Sequence, residues 1–263
     1  MTAPISLPFL FRSLSIAISV VVMVAASFAP PTQAANERTR NLVQKYVMST
    51  YGVDTPVRRF GGDVTWSVAW GEDLSSADIF AIFDGFDKLT SVKLRKANTE
   101  SANLTIDYVN NVAFEAMTPD YRPQMQGDVA DDVYVETLNQ VAENRKNLVS
   151  NFQTSDLDQT IIFASALAEK HWAKRGAYIP PRRYLMQIIF FMLTGAQGGE
   201  AMGDSVQAVA PDLPELTELP VLDEALISVL YAHKNWNDLP AERAREELVN
   251  AIMAYLQRTG REF

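Results

Sequence analysis

Arg183-Tyr184-Leu185-Met186-Gln187-Ile188-Ile189-Phe190-Phe191-Met192-Leu193-Thr194-Gly195 is the stretch on which the fold turns. From Leu185 to Leu193 its only polar residue is Gln187. It falls short of the roughly 20 apolar residues needed to span a bilayer. Pro180 and Pro181 precede it, and proline suits a first helical turn, where no N–H is required. Gly195 follows as a residue that readily takes the left-handed conformation closing a helix. A helix apolar on nearly every face has to be enclosed by protein. The stretch therefore predicts a central buried helix rather than a cofactor box.

On its C-terminal side, Gly195-Ala196-Gln197-Gly198-Gly199 reads as a flexible exit and Pro211 to Pro220 as an irregular connection. Val221 to Tyr231 predicts a helix burying Leu222, Leu226, Val229 and Leu230. A last helix runs from Ala241 to about Arg258 behind Pro240, with Leu248, Ile252, Tyr255 and Leu256 inward. On the N-terminal side, Ser155-Asp156 caps a helix through Arg175, ended by Gly176. Leu157, Ile161, Ala164, Ala168 and Trp172 share its face. Thr160 to Phe163 alone also fits a short strand, and periodicity does not decide so short a run. Asp131 to Val149 predicts a helix of mixed charge, after turn signals at Thr118-Pro119, Arg122-Pro123 and Gly127-Asp128.

Further upstream the period changes from helical to alternating. Val64 to Trp70 is rich in strand formers and sets Val64, Trp66, Val68 and Trp70 on one face. Ser75 and Ser76 are candidate caps for a helix with Ile79, Ile82, Phe83, Phe86 and Leu89 on one side. Gly85 inside it costs about 1 kcal/mol relative to alanine, which suggests close packing on the sheet. Asn103 to Val109 alternates again, and strand, helix, strand at this length predicts a parallel crossover. Asn36 to Tyr51 reads as a surface helical arm, with Leu42, Tyr46 or Val47, and Tyr51 on one side, stopped by Gly52. Turns at Thr55-Pro56 and Gly61-Gly62 follow. The fold class is α/β or α+β: a small sheet with one crossover, packed by several helices. Residues 1–34 form a cleaved signal peptide, 35–56 the arm and 57–263 a single globular domain.

The signal peptide follows from Arg12, the only charge before Glu37, and from the apolar run Leu14 to Ala26. Small residues at Thr32 and Ala34 place the cut after Ala34, so the protein is periplasmic or secreted, with no membrane span afterwards. Removing Arg12 takes the net charge from −9 to −10. That balance argues against nucleic acid, which needs clustered Lys and Arg. The chain has no cysteine. Thiolate metal sites, cysteine nucleophiles, lipid attachment through a thiol and disulfides are therefore excluded, and stability must come from a core.

Reactive constellations are sparse. The two histidines, His171 and His233, lack a second histidine or a carboxylate at zinc-ligand spacing, and both read as surface or half-buried residues near helix ends. No Gly-x-Ser-x-Gly elbow accompanies Ser205, and no Gly-Lys-Ser or Gly-Lys-Thr end accompanies Gly198-Gly199. Asp84 with Asp87, or Asp131 with Asp132, would serve as acid and base only if folding brought them together across a cleft. Trp66 and Trp70 read as core before they read as a binding platform. Ala35 to Arg40 and Pro211 to Pro220 are the surface segments best placed for partner contacts.

Three stretches carry a family resemblance. They are Val57-Arg58-Arg59-Phe60 leading into Val64 to Trp70; the amphipathic helix followed by Ala102-Asn103-Leu104-Thr105-Ile106; and Leu216-Thr217-Glu218-Leu219 with Asp223-Glu224-Ala225-Leu226-Ile227-Ser228-Val229-Leu230-Tyr231. In these the chain resembles the proteobacterial domain of unknown function 2927, a family of exported proteins similar to metzincin zinc peptidases. The resemblance implies a degenerate metzincin-like domain whose central helix once carried His-Glu-x-x-His and a terminating glycine. With Gly195 as that glycine, Ile188, Ile189 and Met192 stand where the first histidine, the glutamate and the second histidine would be. Gln187 is the neighbouring polar residue. Isoleucine and methionine neither hold zinc nor deprotonate its water.

The reading leans away from an enzyme and assigns no catalytic, cofactor-binding or metal residue and no cofactor. It expects a non-catalytic module that binds a protein or peptide partner along a cleft inherited from a peptidase-like fold. The alternatives are a metal-free hydrolase using paired carboxylates about 5–10 Å apart, or a structural envelope component.

Overall fold

The computed structural model describes residues 31–52, 55–110, 112–114, 116–117, 148–155, 160–169, 173–174, 177–196, 205–208, 213–232 and 236–261. The chain divides into two compact units, Met1–Leu42 and Val43–Phe263. The end of helix α1 (Pro31–Tyr51) belongs to the second unit. It was expected as a surface arm, and from Val43 onward this is corrected. Val43, Tyr46, Val47 and Tyr51 are all fully buried. Their spacing is an apolar stripe at three and four residues, which a helix of this length buries against its own domain.

The second unit is built on a sheet of mixed direction, confirming the α/β or α+β class. β1 (Val64–Ala69) pairs in parallel with β2 (Leu94–Lys96) on one side and β3 (Leu104–Val109) on the other. β3 pairs in parallel with β5 (Ile161–Glu169), and β4 (Leu148–Thr154) closes the order β2-β1-β3-β5-β4 as an antiparallel edge. A two-stranded ladder joins β6 (Ala173–Lys174) to β7 (Ala177–Tyr178). The crossover is present, although its helix leads first into β2, a three-residue strand too short to register as a period.

β5 is the main correction. Where a helix from Ser155 to Arg175 was expected, Ile161 to Glu169 is strand, so the alternative reading of Thr160 to Phe163 holds. Ala164 to Ala168 are all buried. An inner strand covered on both faces loses the alternation that identifies strands, and alanine adds little strand preference of its own. The expected helix from Asp131 to Val149 is also corrected at its end, since Leu148 and Val149 open β4. Its remainder, 131–147, lies outside the described residues.

α2 (Ser76–Asp87) starts at Ser75, whose hydroxyl accepts from the Asp78 N–H while the Asp78 carboxylate accepts from the Ser75 N–H. This reciprocal cap satisfies two free amides at the helix start. Ile79, Ile82, Phe83 and Phe86 face inward. Trp66 of β1 stacks on Phe83 with ring centroids 4.0 Å apart, and Trp70 stacks on Tyr108 at 3.9 Å. Both tryptophans are 2 % exposed, so they are core. Gly85 does not pack on the sheet as expected. It is exposed, with open space where a Cβ would stand. Gly85→Ala should therefore raise stability by about 0.5–1 kcal/mol by removing the helix cost of glycine, read as a higher urea midpoint with an unchanged slope.

Behind the sheet lies α3 (Pro181–Thr194), the central helix expected from the sequence. α4 (Val221–Ala232) and α5 (Ala241–Thr259) pack beside it and contribute Leu222, Leu226, Leu230, Leu248, Ile252 and Leu256 to the same core. Among the described residues, no helix is long and apolar enough to cross a membrane.

Candidate functional site

α3 has proline at its start, with Pro180 as the cap residue, and ends at Gly195 with φ +60° and ψ 18°. A Cβ on Gly195 would stand 3.2 Å from Arg58 Cβ and 3.5 Å from Ile161 Cδ1. Glycine is thus required twice, for the left-handed turn and for the approach of two neighbouring segments. Every residue from Arg183 to Thr194 is buried. Ile188, Ile189 and Met192 are 0 % exposed, and Gln187, at 2 %, leaves its Nε2 without a partner. The last carbonyls of α3 have no partners within the helix. Two phenols meet them: Tyr231 Oη donates to Leu193 O at 2.9 Å, and Tyr51 Oη to Thr194 O at 3.3 Å.

The densest polar arrangement lies at the start of α4. Asp223 is fully buried and accepts from three donors. Tyr46 Oη and Ser205 Oγ reach its Oδ1 at 2.7 and 2.8 Å, and the Val206 N–H reaches Oδ2 at 2.8 Å. Arg183 Nη2 donates to Ser205 O at 2.6 Å, and Gln207 Nε2 donates to Thr50 Oγ1 at 3.1 Å. One carboxylate thereby ties α1, the buried segment 205–208 and the first turn of α4 together. Loss of water around Asp223 pushes its carboxyl up to about 6. The hydrogen bonds from Tyr46, the Val206 N–H and Ser205, and then the charge of Arg183, act the other way. Burial and the adjacent Asp223 charge hold the Tyr46 phenol well above its ordinary range.

The sign of the resulting pH dependence follows. In the unfolded chain Asp223 titrates near 3.8, and in the folded protein near 6, so the native state holds this proton more tightly. Its contribution to stability is complete below about pH 4 and is lost as pH rises through 6. Urea melts from pH 4 to pH 8 should show this slope, and Asp223→Asn, which cannot titrate, should flatten it.

The other residues singled out from the sequence do not converge. Asp84 pairs with Lys88 at 2.6 Å, and Asp87 accepts from the Leu94 N–H at 2.8 Å, so each serves a local contact. Asp131, Asp132, His171 and His233 lie outside the described residues. Among the described residues, no group of three or more histidines and carboxylates stands where it could hold a metal ion. The Asp223 cluster escaped sequence reasoning because Tyr46, Ser205 and Asp223 are far apart in the chain. One signal was available: Asp223 shares a helical face with Leu226, Ile227 and Leu230, all buried, and an acid on an apolar face needs a partner.

Among the described residues β4 pairs only with β5 and stands last in the strand order. An edge strand presents outward-facing N–H and C=O groups to which an extended chain can pair. No family model matches the chain, and no curated protein is significantly similar to it.

Proposed function

We propose that this is an exported, non-catalytic module that takes up a peptide or protein segment along the β4 edge of a degenerate peptidase-like domain. The observation that carries the reading is the sealed state of α3. Ile188, Ile189 and Met192, at the positions where a zinc peptidase helix would hold its metal and its base, are 0 % exposed and apolar. Hydrolysis through a metal needs imidazole or carboxylate ligands and an open coordination position, and these side chains supply neither. Gly195, which ends the central helix, and the three quoted stretches support the metzincin-like resemblance. The apolar run from Leu14 to Ala26 and the small residues before Ala35 support export with a cut after Ala34.

The test is a pull-down of the tagged protein from a periplasmic extract, with cross-links mapped by mass spectrometry. The reading expects cross-links from a captured segment to fall on residues 148–154. Stoichiometric zinc in the purified protein, or zinc-dependent peptide cleavage, would sink it.

A further inference from the structure

Segment 205–208, Ser205-Val206-Gln207-Ala208, is buried throughout, yet few contacts hold it in place. Val206 is the one large apolar side chain it contributes to the core. Two of its hydrogen bonds are internal: the Gln207 N–H donates to Ser205 Oγ and the Ala208 N–H to Ser205 O, both at 3.1 Å. Four others join it to the rest of the described protein. Gln207 Nε2 reaches Thr50 of α1, and Arg183 of α3 reaches Ser205 O. The remaining two, from Ser205 Oγ and the Val206 N–H, both end on Asp223. Gln207 Oε1 is shut off from solvent without a hydrogen-bond partner, so lifting the segment into water restores a hydrogen bond there. A short piece with one apolar anchor belongs to the part of a fold that opens locally at low cost.

Asp223, on which the segment depends, is fixed by donors but not by a bonded cation. Among the described residues, the titratable or charged groups facing it are Tyr46 of α1 and Arg183 of α3; the segment itself carries none. Arg183 gives Nη1 to Pro214 O and Nη2 to Ser205 O, so its charge acts on Asp223 across space rather than through a bond. Glu224, next in the chain, is turned to Tyr255 and Arg261. A buried charge without an ion-pair partner is costly. Ser205 and Val206 meet one carboxylate oxygen each, so opening the segment brings water to both. The closed segment therefore holds the Asp223 proton more tightly than the open one, and rising pH favours opening.

We propose that segment 205–208 is a pH-sensitive latch: ionisation of Asp223 releases it from α1 and from the start of α4 without unfolding the domain, and protonation seats it again. The closed state has its full advantage below about pH 4 and loses it as pH rises through 6. The latch does not depend on the β4 edge, so failure of the pull-down leaves it standing.

The test is hydrogen exchange of the full chain from pH 5 to pH 7.5, corrected for the intrinsic rate at each pH. The Val206 amide should be less protected than the amides of Ile188 to Met192. Its protection should fall about tenfold over this range, the change expected when a carboxyl held near 6 returns to its ordinary value on opening. In Asp223→Asn that fall should vanish. Tyr46→Phe, which takes one donor from the carboxylate, should carry the fall to higher pH. Because the chain contains no cysteine, Ala208→Cys supplies a single thiol. Its reaction with 4,4′-dithiodipyridine, relative to a free peptide thiol, should follow the same pH course. Protection of Val206 equal to that of α3 at every pH overturns the proposal, since the segment would then open only with the whole domain. So does local opening that does not change with pH, or a fall that persists in Asp223→Asn.

Discussion

Asp223→Ala is expected to lower the stability of the folded protein by about 3–5 kcal/mol, the usual cost of removing one member of a buried charged cluster. The substitution strands three donors at once: the Tyr46 hydroxyl, the Ser205 hydroxyl and the Val206 N–H. Each loses its acceptor in a place water does not reach, at about 1–3 kcal/mol per group before relaxation. Tyr46→Phe removes one donor and leaves the carboxylate with two, so its cost should be nearer 1 kcal/mol. The double variant should be less destabilised than the two single costs combined, because the phenol is no longer stranded. Since Asp223 contributes more at low pH, the Asp223→Ala deficit should be larger at pH 5 than at pH 8. Urea melts of the four proteins at both pH values decide the matter. A deficit below about 1 kcal/mol would mean that segment 205–208 is held by something other than this carboxylate.

Ile189→Glu is expected to prevent folding altogether. Ile189 is 0 % exposed at the middle of α3, enclosed by the core that joins the sheet to α4 and α5. A carboxylate placed there would be desolvated with no donor designed for it, a change that exceeds the total stability of many domains. The combined change Ile188→His, Ile189→Glu, Met192→His rebuilds the ligand pattern of a zinc peptidase in the register set by Gly195. It should yield unfolded or aggregated protein rather than a zinc site, because the pattern would lie inside the core. Circular dichroism and size-exclusion chromatography report the folding, and metal analysis reports the zinc. Folded, zinc-loaded protein would show that this helix still fronts a cavity and would remove the main support for a non-catalytic module.

Much of the frame was legible because the strongest periodicities fell where burial was one-sided or complete. α3 announced itself by an apolar run between Pro181 and Gly195, β1 by alternation from Val64, and α2 by Ile79, Ile82, Phe83 and Phe86 behind Ser75. β5 was hidden because Ala164 to Ala168 are covered on both faces, and Ile161, Ala164 and Ala168, spaced at three and four residues, imitate a helix. The burial of α1 was missed because its charged start, Glu37 to Arg40, masks the stripe that begins at Val43. The Asp223 cluster could not be read from the chain, since its members meet only after α1 and α4 have docked; Tyr46 and Asp223 are 177 positions apart. The expected carboxylate pairs failed for the opposite reason. Asp84 and Asp87 are close in sequence but are taken up by local contacts with Lys88 and the Leu94 N–H.

The strand order also bears on how the chain reaches its final state. β1, β2 and β3 follow one another in the chain across α2, and β4 and β5 are neighbours in sequence, with the Ser155 N–H donating to Thr160 O. These two pieces can form early, since nearby partners lose little entropy on closing. They are sewn together along a single parallel seam, Leu104 to Val109 against Ala164 to Glu169, whose partners are distant in the chain. Zippering of that seam is the natural slow step of folding, so changes along it should retard refolding more than equal destabilisation elsewhere.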